Sequence, residues 1–263
     1  MRIPKPATIH RRIMALLARN PDRFLKKVSG VIHVGANTGQ ERDTYKEFGL
    51  RVVWIEPIPE VFETLRANLV GYSGQIAFQY LVTDQDNSEY IFHVANNDGA
   101  SSSIFDFKMH KNIWPQVAYE RVITLRSTTL TSLIQKERVN AADYQALILD
   151  TQGTELLVLK GADAILGCFR FVKIEVADFE SYEGCCQLRD IEQFLKPRGF
   201  HEFSRRKFAE LPAGGNYYDI VYRRTAYPCS RYSRLERTFQ NSVRHLTDNR
   251  GPALQKAHVV LRD

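Results

Sequence analysis

An open, doubly wound α/β sheet, mainly parallel and finished by an antiparallel pair, is what this sequence predicts. Strand-like apolar runs alternate with helix-period segments from residue 29 to 224, the pattern of β-α-β units. Two of those runs, "RVVWI" (51–55) and "ALILD" (146–150), are almost continuously apolar, as expected of strands covered on both faces. The first strand, "VIHV" (Val31–Val34), runs straight into "GANTG" (Gly35–Gly39), a turn of the kind that cradles a ligand at the carboxyl end of such a strand.

The elements run in order along the chain. "TIHRRIMALLARNPDRFLKKV" reads as amphipathic helix broken near Asn20-Pro21. "GVIHVGA" is the first strand, and "GQERDTYKEFG" a helix closed by Gly49. "LRVVWIEP" is the second strand. "IPEVFETLRANLVGY" is a helix opened by Pro59, with Val61, Phe62, Leu65 and Leu69 on one face. "QIAFQYLVTD" is expected as one third strand, with "SEYIFHVAN" beside it after the "DQDNS" turn. "GASSSIFDFKMHKNIWPQVAYE" has the irregular, small, polar and aromatic composition of a loop bordering a pocket. "RVITLRSTTLTSLIQKE" is a short strand and a helix, "YQALILD" a buried strand, "TELLVLKGADAIL" a helix and "FRFVKIEV" another strand. "LRDIEQFLKPRGF" is a helix stopped at Pro197-Arg198-Gly199. "FHEFSRRKF" and "YYDIVYRR", joined by "LPAGGN", form the closing antiparallel pair.

A chain of 263 residues accommodates one such domain, here 29–224, with a basic helical extension (1–28) and a basic tail (225–263). Met1 to Ser29 carries eight Lys/Arg against one Asp, and Arg231 to Asp263 seven against three acids. The overall charge is +6, so the body between them sums to about −5 and the basic character belongs to the ends. No zinc finger, RNP-like aromatic strand or Gly-rich basic segment is present, which argues against a nucleic-acid partner. No apolar run approaches the roughly 18 residues of a membrane span, and "IMALLA" is too short for a secretory signal. Cys168, Cys185, Cys186 and Cys229 lack metal-ligand spacing and read as reduced thiols of a cytoplasmic protein. The oligomeric state is not legible.

In a doubly wound sheet, chemistry gathers in the residues just after each strand. These are Gly35-Ala36-Asn37-Thr38-Gly39, Glu56-Pro57, Thr83-Asp84, Asp150-Thr151-Gln152 and Glu175. Glu56 lies 21 positions after Gly35, where a carboxylate accepts hydrogen bonds from both hydroxyls of a ribose. The dinucleotide fingerprint would need glycine at Asn37 and Gln40, and Asn37 would set a side chain where a pyrophosphate approaches. A smaller adenosine cofactor with an amine and a carboxylate, such as S-adenosylmethionine, suits G-x-N-x-G better.

On "HVGANTGQ" (33–40), "WIEPIPEVFETLRANL" (54–69), "LVTDQDN" (81–87), "GASSSIF" (99–105), "LDTQGTELLVLKGADAIL" (149–166) and "KIEV" (173–176), the chain resembles the FkbM-type S-adenosylmethionine-dependent methyltransferases. The resemblance spans about residues 29–224 and implies a Rossmann-like, class I methyltransferase fold. It also implies methyl transfer to a hydroxyl oxygen of a small molecule or saccharide. Gly35, Ala36, Asn37 and Gly39 then match the cofactor loop, Glu56 with Pro57 the ribose-binding turn, and Thr83-Asp84 the acid near the adenine. Ser102 is expected to hydrogen-bond cofactor or acceptor. His33 stands where the family usually has an acid, and is expected to orient the loop as a neutral acceptor. An alcohol acceptor has to lose a proton, so a base is required beside the methyl. Asp150 is the first candidate and Glu175 the second. Glu155 opens a helix, where pairing with the helix dipole competes with a site role. Asp178 is the nearest third carboxylate should the acids hold a divalent cation, but no metal is assigned. A nucleotide-dependent oxidoreductase and a non-catalytic binding module are the rival readings.

Overall fold

The computed structural model describes residues 21–225; the basic extension before Pro21 and the tail after Thr225 lie outside the described residues. A 3-10 helix, Pro21–Lys27, leads into strand β1, Gly30–Val34. Next come α1 (Arg42–Glu47), β2 (Arg51–Ile55), α2 (Pro59–Asn68), β3 (Gln75–Phe78), β4 (Leu81–Thr83) and β5 (Glu89–Ala95). A long connection holding the short α3 (His110–Ile113) leads to β6 (Tyr119–Thr129), α4 (Leu130–Lys136), β7 (Ala146–Leu149) and α5 (Glu155–Gly161). The domain ends with β8 (Phe171–Ala177), α6 (Leu188–Leu195), β9 (Phe200–Glu210) and β10 (Asn216–Arg224).

The main sheet has seven strands in the order β3-β2-β1-β7-β8-β10-β9. β3, β2, β1, β7 and β8 pair in parallel, and β10 is antiparallel to both β8 and β9. This is the doubly wound form expected, with the closing pair at one edge. The central strands β1 and β7 are buried along their whole length, as their apolar runs require. Trp54, Phe24, Phe171 and Tyr45 fill the core on β1 and β2, so Trp54 and Phe62 are packing residues. Chain order turns around between β1 and β7, which makes the crevice beyond their carboxyl ends the topological switch point.

One expectation is corrected. "QIAFQYLVTD" is two strands, not one. β3 pairs with β2, and the ladder closes with Glu56 N–H donating to Phe78 O at 3.2 Å. Since β2 ends there, nothing remains to pair with, and the chain leaves the sheet. β4 instead joins β6 in a separate three-stranded sheet ordered β4-β6-β5. "SEYIFHVAN" pairs antiparallel with β6 rather than with the third strand. β4 is clamped under α5, because a Cβ on Gly161 would sit 2.1 Å from the Thr83 carbonyl oxygen. Thr83-Asp84 therefore ends a strand of the smaller sheet.

Candidate active site

A cavity of about 230 Å³ opens at the switch point. Its floor is the loop after β1. Gly35 N–H and Ala36 N–H both donate to Ile55 O at 3.0 Å, bending the chain sharply across the end of β2. Gly35 has φ +80°, and a Cβ there would stand 1.8 Å from the Asp150 carbonyl oxygen. Only glycine allows the β1 and β7 loops to close on one another. Asn37 is also left-handed, at φ +44°, and its side chain pins the turn: Oδ1 accepts from Thr38 N–H at 2.7 Å, and Nδ2 donates to Asp98 O at 2.9 Å. Gly39 lies outside the cavity lining; it lets the loop pass Leu65 of α2, whose side chain a Cβ would meet at 2.6 Å.

Glu56 joins the walls. Its Oε2 accepts from Asn37 N–H and its Oε1 from Ile58 N–H, both at 2.9 Å. One acceptor site on each oxygen is thereby used, and the other lone pairs remain for a diol. Burial pushes its carboxyl up to about 7, against the two backbone hydrogen bonds and with a further push from Asp150. Pro57 and Ile58 continue the wall, and Tyr80, Leu81, Val82 and Phe92 supply an apolar face suited to a flat heterocycle. Ser102 lines the cavity, while its Oγ accepts from Ala95 N–H at 2.9 Å. Thr83 and Asp84 fall outside the lining, since the strand break swings the chain away after Val82.

His33 is 4% exposed and lines the cavity. Burial lowers its pKa to about 4, so it is neutral. Its Nδ1 and the Tyr45 hydroxyl share a hydrogen bond of 3.1 Å, and its ring stacks on Trp54 at 5.1 Å. The described hydrogen bond of this imidazole thus runs to the core rather than to the glycine loop.

Asp150 comes directly after β7 and also lines the cavity. Burial raises its carboxyl to about 7, and the nearby Glu155, Glu41 and Asp219 add to the rise. Gln152 Nε2 opposes it, donating to Asp150 Oδ1 at 2.6 Å. Glu175 lies beyond Gln152, in a small cleft with Glu155, Tyr182, Cys186 and Tyr217. Burial, then the charge of Asp150, pushes Glu175 well above the carboxylate range. The two candidate bases are therefore not equivalent. Asp150 faces the cavity with its carboxyl raised to about 7; Glu175, raised well above its ordinary value, lies behind Gln152 and outside the cavity lining.

Glu155, the first residue of α5, is 2% exposed. Its Oε1 takes Thr151 N–H at 2.8 Å and its Oε2 takes Gly153 N–H at 3.1 Å. The carboxylate shapes the loop that carries Asp150 by satisfying its orphan N–H groups. Asp178 is engaged elsewhere, accepting from Asn216 N–H at 2.7 Å. Among the described residues, no three His, Cys, Asp or Glu side chains gather as a metal-binding group. Cys185 and Cys186 are free thiols; Cys229 lies outside the described residues. No described helix is long and apolar enough to cross a membrane.

Sequence reasoning missed Tyr80 and Tyr182, because aromatic residues in connections carry no periodic signal, and Phe92, because its strand joins the smaller sheet. Glu41 was detectable as an acid two residues after Gly39. A larger groove of about 660 Å³ lies at the amino ends of the strands, lined by Lys26, Lys27, Arg170, Arg223 and Arg224. It is remote from every post-strand loop above.

The cavity tests well against the cofactor the resemblance implies. It holds Glu41, Glu56 and Asp150 and neither lysine nor arginine. A carboxylate for a ribose diol, an apolar slot for a base and an acidic surround for a sulfonium and an amine all match S-adenosylmethionine. The same acids oppose the pyrophosphate of a nicotinamide or flavin dinucleotide.

Comparison with known proteins agrees. The chain is 26% identical over 204 residues to the 2-O-methyltransferase NoeI of Sinorhizobium fredii, covering 73% of this chain and 80% of that protein. Among solved structures, magnesium protoporphyrin IX methyltransferase of Synechocystis PCC 6803, with bound S-adenosylmethionine, matches at TM-score 0.43 and 11% identity, covering 83% of this chain and 79% of that one. Precorrin-6y C5,15-methyltransferase of Geobacter metallireducens matches at TM-score 0.42 and 10% identity, covering 75% and 81%. The family model of the methyltransferase FkbM domain matches residues 33–202, from the histidine before the glycine loop into β9. The chain belongs to the FkbM methyltransferase family, whose members use S-adenosylmethionine.

Proposed function

We propose that this protein is an O-methyltransferase that acts on a hydroxyl of a small molecule or saccharide, with Asp150 as the general base. The observation that carries this reading is a half-buried carboxylate, held near pKa 7, at the wall of the acidic cavity. A base is most effective when its pKa lies near the working pH. The 2-O-methyl chemistry in the relative's name supports oxygen as the acceptor atom.

When bound, S-adenosylmethionine would supply an electrophilic methyl group on a sulfonium whose leaving group is a neutral thioether. The protein's part is alignment and proton removal. Glu56 would hold the ribose hydroxyls, with Asn37 N–H and Ile58 N–H keeping its carboxylate in place. Gly35, Ala36 and Asn37 would shape the surface for the amino-acid moiety, and Leu81, Val82 and Phe92 would flank the adenine. Pro57 and Ser102 complete the enclosure. Asp150 takes the proton of the acceptor hydroxyl as the new carbon–oxygen bond forms.

The acceptor side is framed by two segments that pack on one another. Lys108 N–H and His110 N–H donate to Ser181 O at 2.9 and 3.0 Å, and Phe107 stacks on Tyr119 at 3.9 Å. The test is incubation with S-adenosylmethionine carrying a 13C-methyl group and a panel of saccharides and small alcohols. A product whose labelled methyl is bonded to oxygen by NMR is the expected result; transfer only to nitrogen or carbon acceptors would overturn the assignment.

A further inference from the structure

Gln152 occupies an unusual position. Its backbone is left-handed, at φ +52°, a conformation that costs a non-glycine residue about 1 kcal/mol or more and persists only where the surroundings impose it. Ser103 Oγ–H fixes it there, donating to Gln152 O at 2.8 Å. The side chain lines both the cofactor cavity and the small cleft behind it. Its Nε2 donates to Asp150 Oδ1 at 2.6 Å and lies 3.4 Å from Glu175 Oε1. Its Oε1 accepts from the Tyr182 hydroxyl at 2.6 Å. Tyr182 is 1% exposed, and burial keeps its hydroxyl protonated.

These contacts decide which way the amide faces. A protonated phenol donates, so the amide oxygen turns to Tyr182 and the NH2 group to the two acids. The flipped amide would set its oxygen against Asp150 Oδ1 at the same short distance, which is repulsive once Asp150 is ionised. The ionisable groups around Asp150 are Glu41 and Glu56 across the cavity, the neutral His33 on β1, Glu155 on α5, Glu175 on β8 and Asp219 on β10. All but His33 are acids, and the Gln152 amide is the one hydrogen-bond donor that Asp150 finds among the described side chains.

We propose that Gln152, oriented by Tyr182, is a positioning residue that engages Asp150 Oδ1 and so leaves Oδ2 to receive the proton of the acceptor hydroxyl. The proposal rests on the reading of Asp150 as the base. It explains why a strained glutamine occupies this turn: the amide is delivered into the gap between the acids from a backbone position that an ordinary turn would not provide. Tyr182, carried on the acceptor-side segment, ties that segment to the base.

The test uses the full chain with 13Cγ-labelled aspartate, titrated by NMR without cofactor; the Asp150 signal is identified by its loss in Asp150→Asn. In wild type this signal is expected to titrate near pH 7. Gln152→Ala removes a hydrogen bond to the charged form, so the midpoint is expected to rise by about one unit. Tyr182→Phe, which keeps the ring and its packing, shifts it the same way by less. Turnover is expected to fall about 10- to 100-fold in Gln152→Ala, with S-adenosylmethionine affinity within threefold of wild type, as for a misaligned base. If Gln152→Ala does not fold, Tyr182→Phe carries the same titration. An unmoved Asp150 midpoint in these variants overturns the proposal. Wild-type turnover in Asp150→Asn overturns the base reading instead, and the titration still decides whether Gln152 holds the carboxylate.

Discussion

Asp150→Asn is expected to lower kcat by roughly 10²- to 10⁴-fold, the usual contribution of a positioned general base. The substitution is nearly isosteric. Its amide oxygen still accepts from Gln152 Nε2, so S-adenosylmethionine affinity should stay within a few-fold of wild type. Glu175 is not expected to substitute as the base, because it lies behind Gln152 in a separate cleft and does not line the cavity. The pH dependence has a definite sign. The base works unprotonated, so kcat of wild type at saturating S-adenosylmethionine, with Glu56 already committed to the cofactor, should climb with pH through about 7 and level off above it. In Asp150→Asn that limb should vanish, with any residual rise displaced to higher pH. Steady-state kinetics from pH 5.5 to 9 reads both effects. An Asp150→Asn enzyme with wild-type kcat and the same acid limb would remove Asp150 from the chemistry.

Gly35→Ala should cost the protein both stability and cofactor binding. The added Cβ would lie 1.8 Å from Asp150 O, 2.6 Å from the Asp150 carbonyl carbon and 3.3 Å from Thr151 Cγ2. The first two neighbours are backbone, which yields only if the β1 and β7 loops separate. Overpacking of this kind costs about 1–3 kcal/mol, and a left-handed alanine about 1–2 kcal/mol more. Gly49→Ala is the internal control. It has φ +66° but nothing within 4 Å of its Cβ, so only the conformational cost remains. Thermal unfolding should place Gly35→Ala well below Gly49→Ala, and calorimetry should find S-adenosylmethionine binding lost only in Gly35→Ala. Equal effects of the two substitutions would show that the loops do not need this close approach.

Much of this architecture is legible in the residues themselves. Buried parallel strands announce themselves by unbroken apolar runs, which is why β1, β2, β7 and β8 are found where the runs lie. The post-strand rule then leads to Gly35, Glu56 and Asp150, since a doubly wound sheet gathers at its switch point the loops at the carboxyl ends of its central strands. The rule fails at Thr83-Asp84. Nothing in "QIAFQYLVTD" says that its partner strand ends at Ile55, and the break depends on that partner. Glu175 lies apart from the cavity for a related reason. Strand alternation sets which cavity a side chain faces, and a sequence does not say that Gln152 will stand between the two acids. Tyr182 is illegible because its role comes from a contact 30 positions away, made across two irregular segments. His33 is legible as neutral and buried, but its partner Tyr45 is set by how α1 packs on the sheet.

The function proposed for this protein depends on Glu56 holding S-adenosylmethionine in the acidic cavity at the switch point. Isothermal titration of S-adenosylmethionine and S-adenosylhomocysteine into wild type and Glu56→Ala decides whether it does. Removing the carboxylate takes away the acceptor for the ribose hydroxyls and leaves Asn37 N–H and Ile58 N–H without their partner. Micromolar binding to wild type is expected, weakened at least tenfold, about 1.4 kcal/mol, in Glu56→Ala. Equal affinity in the two proteins, or no binding to well-folded wild type, would refute this role of Glu56 and the cofactor site with it.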